Sequence, residues 1–310
     1  MLAILAIMAV AGLVGCQSGA SSSGPSSGGP VIVAAGDIAC GPTDHPQLTN
    51  DTSSEVSVCR QMATANLIQQ IHPTAVLELG DNQYPVGRYK SYESYYRLSW
   101  GRFDSISHPV PGNHEYLSRD ASGYYSYFGA AAGDPSRGYY SYDLGKWHLI
   151  ALNAQCEFIG GCAAGSAEER WLAADLRQHP AACTLAMWHS PRFFSSDTLG
   201  WTSSVYVKPV WERLYAGGVD VALNGQQHHY ERFAPLTPAG ARDDKKGIRQ
   251  FNVGTGGESS KMPSVIAEHS EALTDLYGVL RLTLDYGTYS WEFVPVAPGQ
   301  FSDAGTGTCH

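Results

Sequence analysis

The sequence predicts an α/β fold, on three observations. Short apolar runs alternate with longer amphipathic stretches from Val31 onward, the pattern of strands joined through helices. Polar residues able to bind metals follow directly after several of those runs, at Asp37, Asp81, His189 and from Gly225 onward, and open α/β sheets bind ligands at the carboxyl ends of their strands. Towards the C-terminus the pattern changes to two alternating segments around Asp285-Tyr286-Gly287-Thr288, which reads as a hairpin.

Each element has its own reason. Residues 31–35 are wholly apolar and run into Gly36-Asp37, so they read as a buried strand. Across residues 53–70 and just beyond, Cys59, Met62, Ala63, Leu67 and Ile71 fall at helical spacing, and His72-Pro73 stops the helix. A second strand over 74–79 ends at Gly80-Asp81, and a third covers 147–152. Ser166 and Glu169 form a capping box that opens a helix over 166–178, with Leu172 and Leu176 on its inner face. Residues 183–188 form a strand ending at His189. A helix over 205–216 closes at Gly217-Gly218, a strand over 219–223 ends at Asn224-Gly225, and strands over 279–284 and 289–294 make the hairpin. The Tyr-rich stretch 84–142 reads as amphipathic packing beneath loops.

The chain has 310 residues, of which 43% are hydrophobic, enough to bury a core and to set disorder aside. Its net charge of -9 argues against nucleic acid as a partner. Residues 1–15 form an apolar run too short to span a bilayer but suited to a secretory signal. Leu13-Val14-Gly15-Cys16 resembles a bacterial lipobox, so residues 1–16 are expected to be a lipoprotein signal with the lipid on Cys16; an ordinary signal with an incidental cysteine is the alternative. Residues 17–30, almost all Ser, Gly, Ala and Pro, form a flexible tether, and 31–310 the functional domain. That organisation implies an exported protein, held by its lipid alone at the outer face of a membrane or in the cell envelope.

Seven cysteines are an odd number for an exported chain, and lipid on Cys16 leaves six to pair. Cys156 and Cys162 flank a short Gly-rich loop and are natural partners; Cys40 with Cys59 and Cys183 with Cys309 complete one of the several connectivities available. A cysteine zinc site would need clustered spacings such as C-x-x-C, which do not occur.

The chemistry is carried by a constellation. Gly36-Asp37, Gly80-Asp81-Asn82-Gln83-Tyr84, Gly112-Asn113-His114-Glu115 and Gly225-Gln226-Gln227-His228-His229-Tyr230-Glu231-Arg232 occur in that order, with His189 before the last. Two neighbouring metal ions need oxygen and imidazole ligands with one carboxylate between them. Asp81 is the candidate bridge, and Asn113 is a neutral ligand that limits negative charge where a phosphate must enter. Such a pair lowers the pKa of a bridging water and clamps both oxygens of an in-line displacement, which is phosphoester hydrolysis.

These motifs resemble those of the calcineurin-like metallophosphoesterases, and within them the purple acid phosphatase branch. Ala39 stands where most of the superfamily has the histidine of Asp-x-His, whereas Tyr84, three residues after Asp81, matches the purple branch. The resemblance covers Val31 to the C-terminal hairpin and implies a four-layer sandwich of helix, two mixed sheets and helix. It implies that Asp37, Tyr84 and His228 hold one metal, that Asp81 bridges, and that Asn113 and His189 hold the second. The implied pair is Fe with Zn, Mn or Fe, and the implied substrate a small phosphate monoester or diester. His114 would act as general acid or as a stabiliser of transition-state charge, with Asn113 and Arg192 also meeting substrate, and His229, Tyr230, Glu231 and Arg232 behind the ligands. Gln226 replaces an expected histidine ligand and would offer the second metal its weaker amide oxygen instead, and no histidine lies between His189 and His228. The second site is therefore expected to bind weakly, and the alternative is a surface lipoprotein of the same fold that binds phosphate or a single metal.

Overall fold

The computed structural model describes residues 28–41 and 59–310. Among them thirteen strands form two mixed sheets. The strands are β1 (Val31–Ala35), β2 (Ala75–Leu79), β3 (Ser107–Val110), β4 (Tyr140–Leu144), β5 (Trp147–Ala151), β6 (Cys183–Met187), β7 (Val221–Asn224), β8 (Tyr230–Leu236), β9 (Ile248–Val253), β10 (Ser270–Thr274), β11 (Gly278–Asp285), β12 (Thr288–Pro295) and β13 (Ala304–Thr308). One sheet runs β13-β12-β11-β1-β2-β3 and the other β10-β8-β9-β7-β6-β5-β4. In the first, β1, β2 and β3 are parallel. In the second, β5, β6, β7 and β9 are parallel. The helices are α1 (Gln61–Ile71), α2 (Tyr89–Ser91), α3 (Asn113–Tyr116), α4 (Ser122–Phe128), α5 (Ala167–Gln178) and α6 (Lys208–Ala216).

Strand periodicity separates two cores. Leu149, Leu185, Val221 and Leu223 enter a core shared with Ile32, Leu77, Leu280 and Leu282 of the first sheet. The alternate residues Ile150, Ala186 and Ala222 pack instead with Leu172 of α5 and with Trp211 and Leu214 of α6. With α1 packed on β11 of the first sheet, the layers are helix, sheet, sheet and helix, the sandwich expected. Strands β1, β2, β5, β6 and β7 are buried almost throughout, which is why they appear in the sequence as unbroken apolar runs.

Three helices are close to expectation, with corrected starts. α1 begins at Gln61, after Cys59 and Arg60, which were expected within the helix; the expected turns at 53–58 lie outside the described residues. Ser166 caps α5 by accepting from the backbone N–H of Glu169. α6 begins at Lys208 with Pro209 in its first turn, three residues later than expected. The Tyr-rich stretch forms α2, a π-helical turn over Tyr92–Tyr96, and α4; Tyr92, Tyr96 and Tyr124 are fully buried among one another's neighbours. The three disulfides join Cys40 to Cys59, Cys156 to Cys162, and Cys183 to Cys309. Cys16 lies outside the described residues.

Beneath the aromatic cluster, Glu78 of β2 is fully buried and accepts a 2.6 Å hydrogen bond from the Tyr96 hydroxyl. Burial pushes its carboxyl up from 4.5 to about 8. A raised folded-state pKa means the folded protein keeps a proton that the unfolded chain releases, so this contribution to stability is intact below pH 4.5 and is lost as pH rises towards 8. Glu78→Gln is therefore expected to match wild type in denaturant melts near pH 5 and to exceed it near pH 8.5. An equal difference at both pH values would show that Glu78 titrates normally.

Candidate metal centre

Four parallel strands deliver the polar residues to one edge. Asp37 follows β1, Asp81 follows β2, His189 follows β6, and residues 225–229 follow β7. Backbone hydrogen bonds tie these ends together: Gly36 N–H to the Val253 carbonyl across the two sheets, Asp37 N–H to Gly80, and Gly225 N–H to His189. Asp37, Asp81 and Gln226 all have positive φ, at 58°, 50° and 68°. Such left-handed conformations in residues other than glycine cost about 1–3 kcal/mol each and gather at functional sites. Glycine is required at Gly112, where a Cβ would stand 2.1 Å from Asp81 Oδ1.

The side chains converge. Tyr84 Oη lies 2.9 Å from both Asp37 Oδ1 and Asp81 Oδ2, and 3.2 Å from His228 Nε2. His228 Nε2 is also 3.2 Å from Asp37 Oδ1. On the other side of Asp81, His189 Nε2 is 3.3 Å from Oδ2 and 3.2 Å from Asn113 Oδ1. Two donor sets thus share Asp81: Asp37, Tyr84 and His228 on one side, Asn113 and His189 on the other. His189 Nδ1 donates to the Leu79 carbonyl at 2.8 Å, which leaves Nε2 facing the cluster. His228 Nδ1 meets Ser259 Oγ and Glu258 Oε2, the latter at 3.1 Å.

The electrostatics call for cations. Asp37, Asp81 and Glu258 are all buried here, while the single Tyr84 hydroxyl hydrogen serves two carboxylate oxygens. Burial would lower His228 and His189, but the carboxylates prevail: Asp37, then Glu258, push His228 up to about 10, and Asp81 pushes His189 up to about 9. Burial likewise opposes ionisation of Asp81, yet the neighbouring His189 charge holds it at about 2. The imidazole protons balance carboxylate charge that bound cations would otherwise balance. Buried oxygens of two aspartates and a phenol, an amide oxygen and two imidazoles are a donor set for hard or borderline metal ions, so the residues fit a metal pair.

His114 sits at the rim, with 29% of its side chain exposed. Its backbone N–H donates to Asp81 Oδ1 at 2.8 Å and its Nδ1 to the Pro85 carbonyl at 2.7 Å, which turns Nε2 towards Asp81 Oδ2 at 3.9 Å. Glu115 is the residue whose part the sequence motif did not reveal. Its Oε2 accepts from the N–H groups of Asp81 and Gly112 at 2.9 and 2.7 Å; its Oε1 accepts from Asn82, Gln83 and the Tyr92 hydroxyl at 3.0, 3.2 and 2.9 Å. Burial, then the Asp81 charge, push its carboxyl up to about 7 against the pull of the Gly112 and Gln83 N–H groups. Glu258 and Ser259 carry no sequence signal at all; the chain brings them in through the Glu258 N–H, which donates to the Asp37 carbonyl.

Four expected positions are corrected. Gln226 is held at the site by its backbone, whose N–H donates to Asp37 Oδ2 at 2.8 Å, but its side-chain oxygen accepts from Ser190 Oγ at 3.2 Å instead of joining the donor cluster. Arg192 does not face a phosphate: it is buried over the Phe193 ring and donates to the Ser204 and Pro238 carbonyls at 3.1 and 3.2 Å. Tyr230 points away from the centre because strand alternation turns it into the core, stacked on Phe293 with its hydroxyl 2.6 Å from Asp303. Arg232, on the same face of β8, pairs with Asp303 at 2.8 Å. His229 and Glu231 lie behind His228, where Glu231 accepts from His229 at 3.4 Å and from the Ser195 N–H at 2.8 Å. Beside the centre, a groove of about 460 Å³ is lined by Phe194, Trp201, Ser203, Tyr206, Gln226 and Gln227.

No family model matches the chain. It is 28% identical over 191 residues to probable purple acid phosphatase 20 of Arabidopsis thaliana, a match that covers 54% of this chain and 43% of that protein. The chain therefore spans less than half the length of that relative. Among solved structures, purple acid phosphatase PPD1 from yellow lupin (Lupinus luteus) is similar with a TM-score of 0.69 and 17% identity, over 91% of this chain and 54% of that one. A dimetal phosphatase from Danio rerio is similar with a TM-score of 0.58 and 12% identity, over 91% of this chain and all of that one (100%). At these identities the two structures speak to the fold.

Proposed function

We propose that this chain, a calcineurin-like metallophosphoesterase of the purple acid phosphatase-like branch, hydrolyses small phosphate monoesters outside the cytoplasm. The observation that carries this reading is the pair of donor sets sharing Asp81, with the Tyr84 hydroxyl 2.9 Å from both Asp37 and Asp81. Asp37, Tyr84 and His228 would hold one ion, Asn113 and His189 the other, and Asp81 both. When bound, the pair supplies an acidified water and positive charge for the phosphoryl oxygens.

The chain's own residues supply the rest. Asn113 adds a ligand oxygen without adding charge that would repel the phosphate. His114 keeps its Nδ1 proton on the Pro85 carbonyl and so presents Nε2 as the position from which a proton reaches the leaving oxygen. The groove beside Gln226 and Gln227 gives the ester group aromatic walls, with hydroxyl and amide groups for orientation. The three disulfides support an oxidising compartment, consistent with export and with lipid on Cys16. A second reading, a protein that binds phosphate or a single ion without turnover, is favoured by one observation: no imidazole stands at position 226, and the Gln226 side chain is engaged with Ser190.

Metal content and turnover test both readings. Two ions per chain and hydrolysis of p-nitrophenyl phosphate are expected; one ion or none, with no turnover, supports the second reading. With ferric iron on the Tyr84 side, the protein should absorb in the visible through phenolate-to-iron charge transfer, and Tyr84→Phe should bleach that band. A colourless protein with full iron occupancy would exclude Tyr84 as an iron ligand.

A further inference from the structure

A second cluster of metal-binding side chains lies at the opposite end of the strands. His148 is the second residue of β5 and pairs with Thr184 near the start of β6, whereas His189 follows the far end of β6. Five residues of extended chain separate the two levels, about 16 Å. Asp175 and His179 stand four residues apart at the end of α5, with His179 as its C-cap, so both present side chains on the same helix face.

Ligand atoms of His148, Asp175 and His179 all lie within 4.8 Å of one another. His148 Nε2 is 2.8 Å from Asp175 Oδ2, and His179 Nδ1 is 3.1 Å from Asp175 Oδ1. The two imidazoles are stacked, with centroids 4.8 Å apart and planes 15° from parallel. His148 Nδ1 faces Asp143 Oδ1 at 2.7 Å, from the residue directly opposite on β4. That carboxylate fixes the ring so that Nε2 is the atom turned towards Asp175, and Asp143 is the outer partner that metal-binding histidines almost always have. Asp175 Oδ1 is itself held by the Ser141 hydroxyl at 2.7 Å. His148 and Asp175 are 1% and 5% exposed, but His179 is 44% exposed. Beside it opens a cavity of about 520 Å³ lined by Asp143, Lys146, Gln178, His179 and Tyr286. Two imidazoles and a carboxylate with one side open to water suit a borderline divalent ion of the zinc class.

We propose that His148, Asp175 and His179 form a separate zinc-class site that pins the end of α5 to the edge of the second sheet, with Asp143 orienting His148. The rival account is a metal-free ion-pair network in which His148 simply bridges Asp143 and Asp175.

The full chain, equilibrated with zinc chloride alone and freed of loosely bound metal, decides between them. Wild type is expected to retain one zinc per chain more than His179→Ala, and zinc should raise the melting temperature of wild type more than that of the variant. Because the readout is a difference between two proteins, it stands whatever the occupancy of the strand-end centre. Asp143→Asn, which leaves all three ligands in place, is expected to weaken the extra zinc about 10- to 100-fold. Equal zinc content in wild type and His179→Ala would overturn the proposal. So would an Asp143→Asn protein that binds the same zinc with unchanged affinity, and this arm decides even if His179→Ala does not fold.

Discussion

Asp81→Asn is expected to lower phosphoester kcat/KM by roughly 10³-fold or more, on the scale of losing a principal electrostatic contributor, and to leave one metal ion or fewer per chain. The substitution keeps size and shape, so the effect isolates charge and donor type. In the native site Oδ2 faces both Tyr84 Oη and His189 Nε2, at 2.9 and 3.3 Å, while Oδ1 accepts the His114 N–H at 2.8 Å. An asparagine can keep only one oxygen. If that oxygen stays with the His114 N–H, the NH₂ group points at the shared position, where it cannot bind a cation. The opposite rotamer turns NH₂ towards the His114 N–H, leaving two donors face to face. Either way the negative charge that balances His189 is lost. Metal analysis, kinetics and circular dichroism on the same preparation test this outcome. A folded Asp81→Asn protein that still holds two ions would show that Asp81 does not join the two donor sets.

How much of this was legible in the sequence depends on where each residue's signal lies. Asp37, Asp81 and His189 follow strands buried on both faces, so continuous apolar runs marked the strand ends and the residues after them. Position was readable there, but side-chain direction was not. Gln226 occupies its expected place in the chain, yet its φ of 68° and the Ser190 hydroxyl carry its amide elsewhere. Arg192 has two carbonyls and an aromatic ring within reach and is consumed by them. Tyr230 follows from alternation once β8 is known, but β8 carries Glu231, Arg232 and Pro235 and does not read as a strand. β13, Ala-Gly-Thr-Gly-Thr, has the composition of a loop. It is a strand because Gly305 and Gly307 let the backbone lie against Trp291 and Tyr289, where a Cβ would come within 2.4 and 2.2 Å of the rings. Glu258 reaches His228 only through the tertiary fold, across 30 residues of sequence that show no metal-binding pattern.

The same contrast between position and partners makes Glu115 the strongest test of how the site is held. Both Glu115→Ala and Glu115→Gln are expected to destabilise the protein by about 4–5 kcal/mol, the range reached when a buried hydrogen-bond network is broken, and to weaken metal binding without removing a ligand. The carboxyl takes five hydrogen bonds from Asp81, Asn82, Gln83, Gly112 and Tyr92, divided between its two oxygens. Alanine leaves all five donors buried without a partner, at about 1–3 kcal/mol for each that water cannot reach. Glutamine is nearly isosteric, but its NH₂ must replace one oxygen. Facing Asp81 and Gly112 it meets two N–H groups, and facing Asn82 and Gln83 it meets two more. The backbone that sets Asp81 at φ 50° then loses its clamp, so Asp81 should wander from Tyr84 and His189. Thermal melting should fall by roughly 10 °C, from the low end of the ~2–4 °C per kcal/mol found for domains of about 150–250 residues, since this chain is longer, and the metal concentration for half-maximal activity should rise in parallel. Asp81→Asn and Glu115→Gln therefore separate: the first costs a folded protein at least one of its metal ions, and the second loosens the fold and the site together. A Glu115→Gln protein that melts within about 2 °C of wild type and keeps its metal affinity would show that the loop is held by the ions and not by this carboxylate.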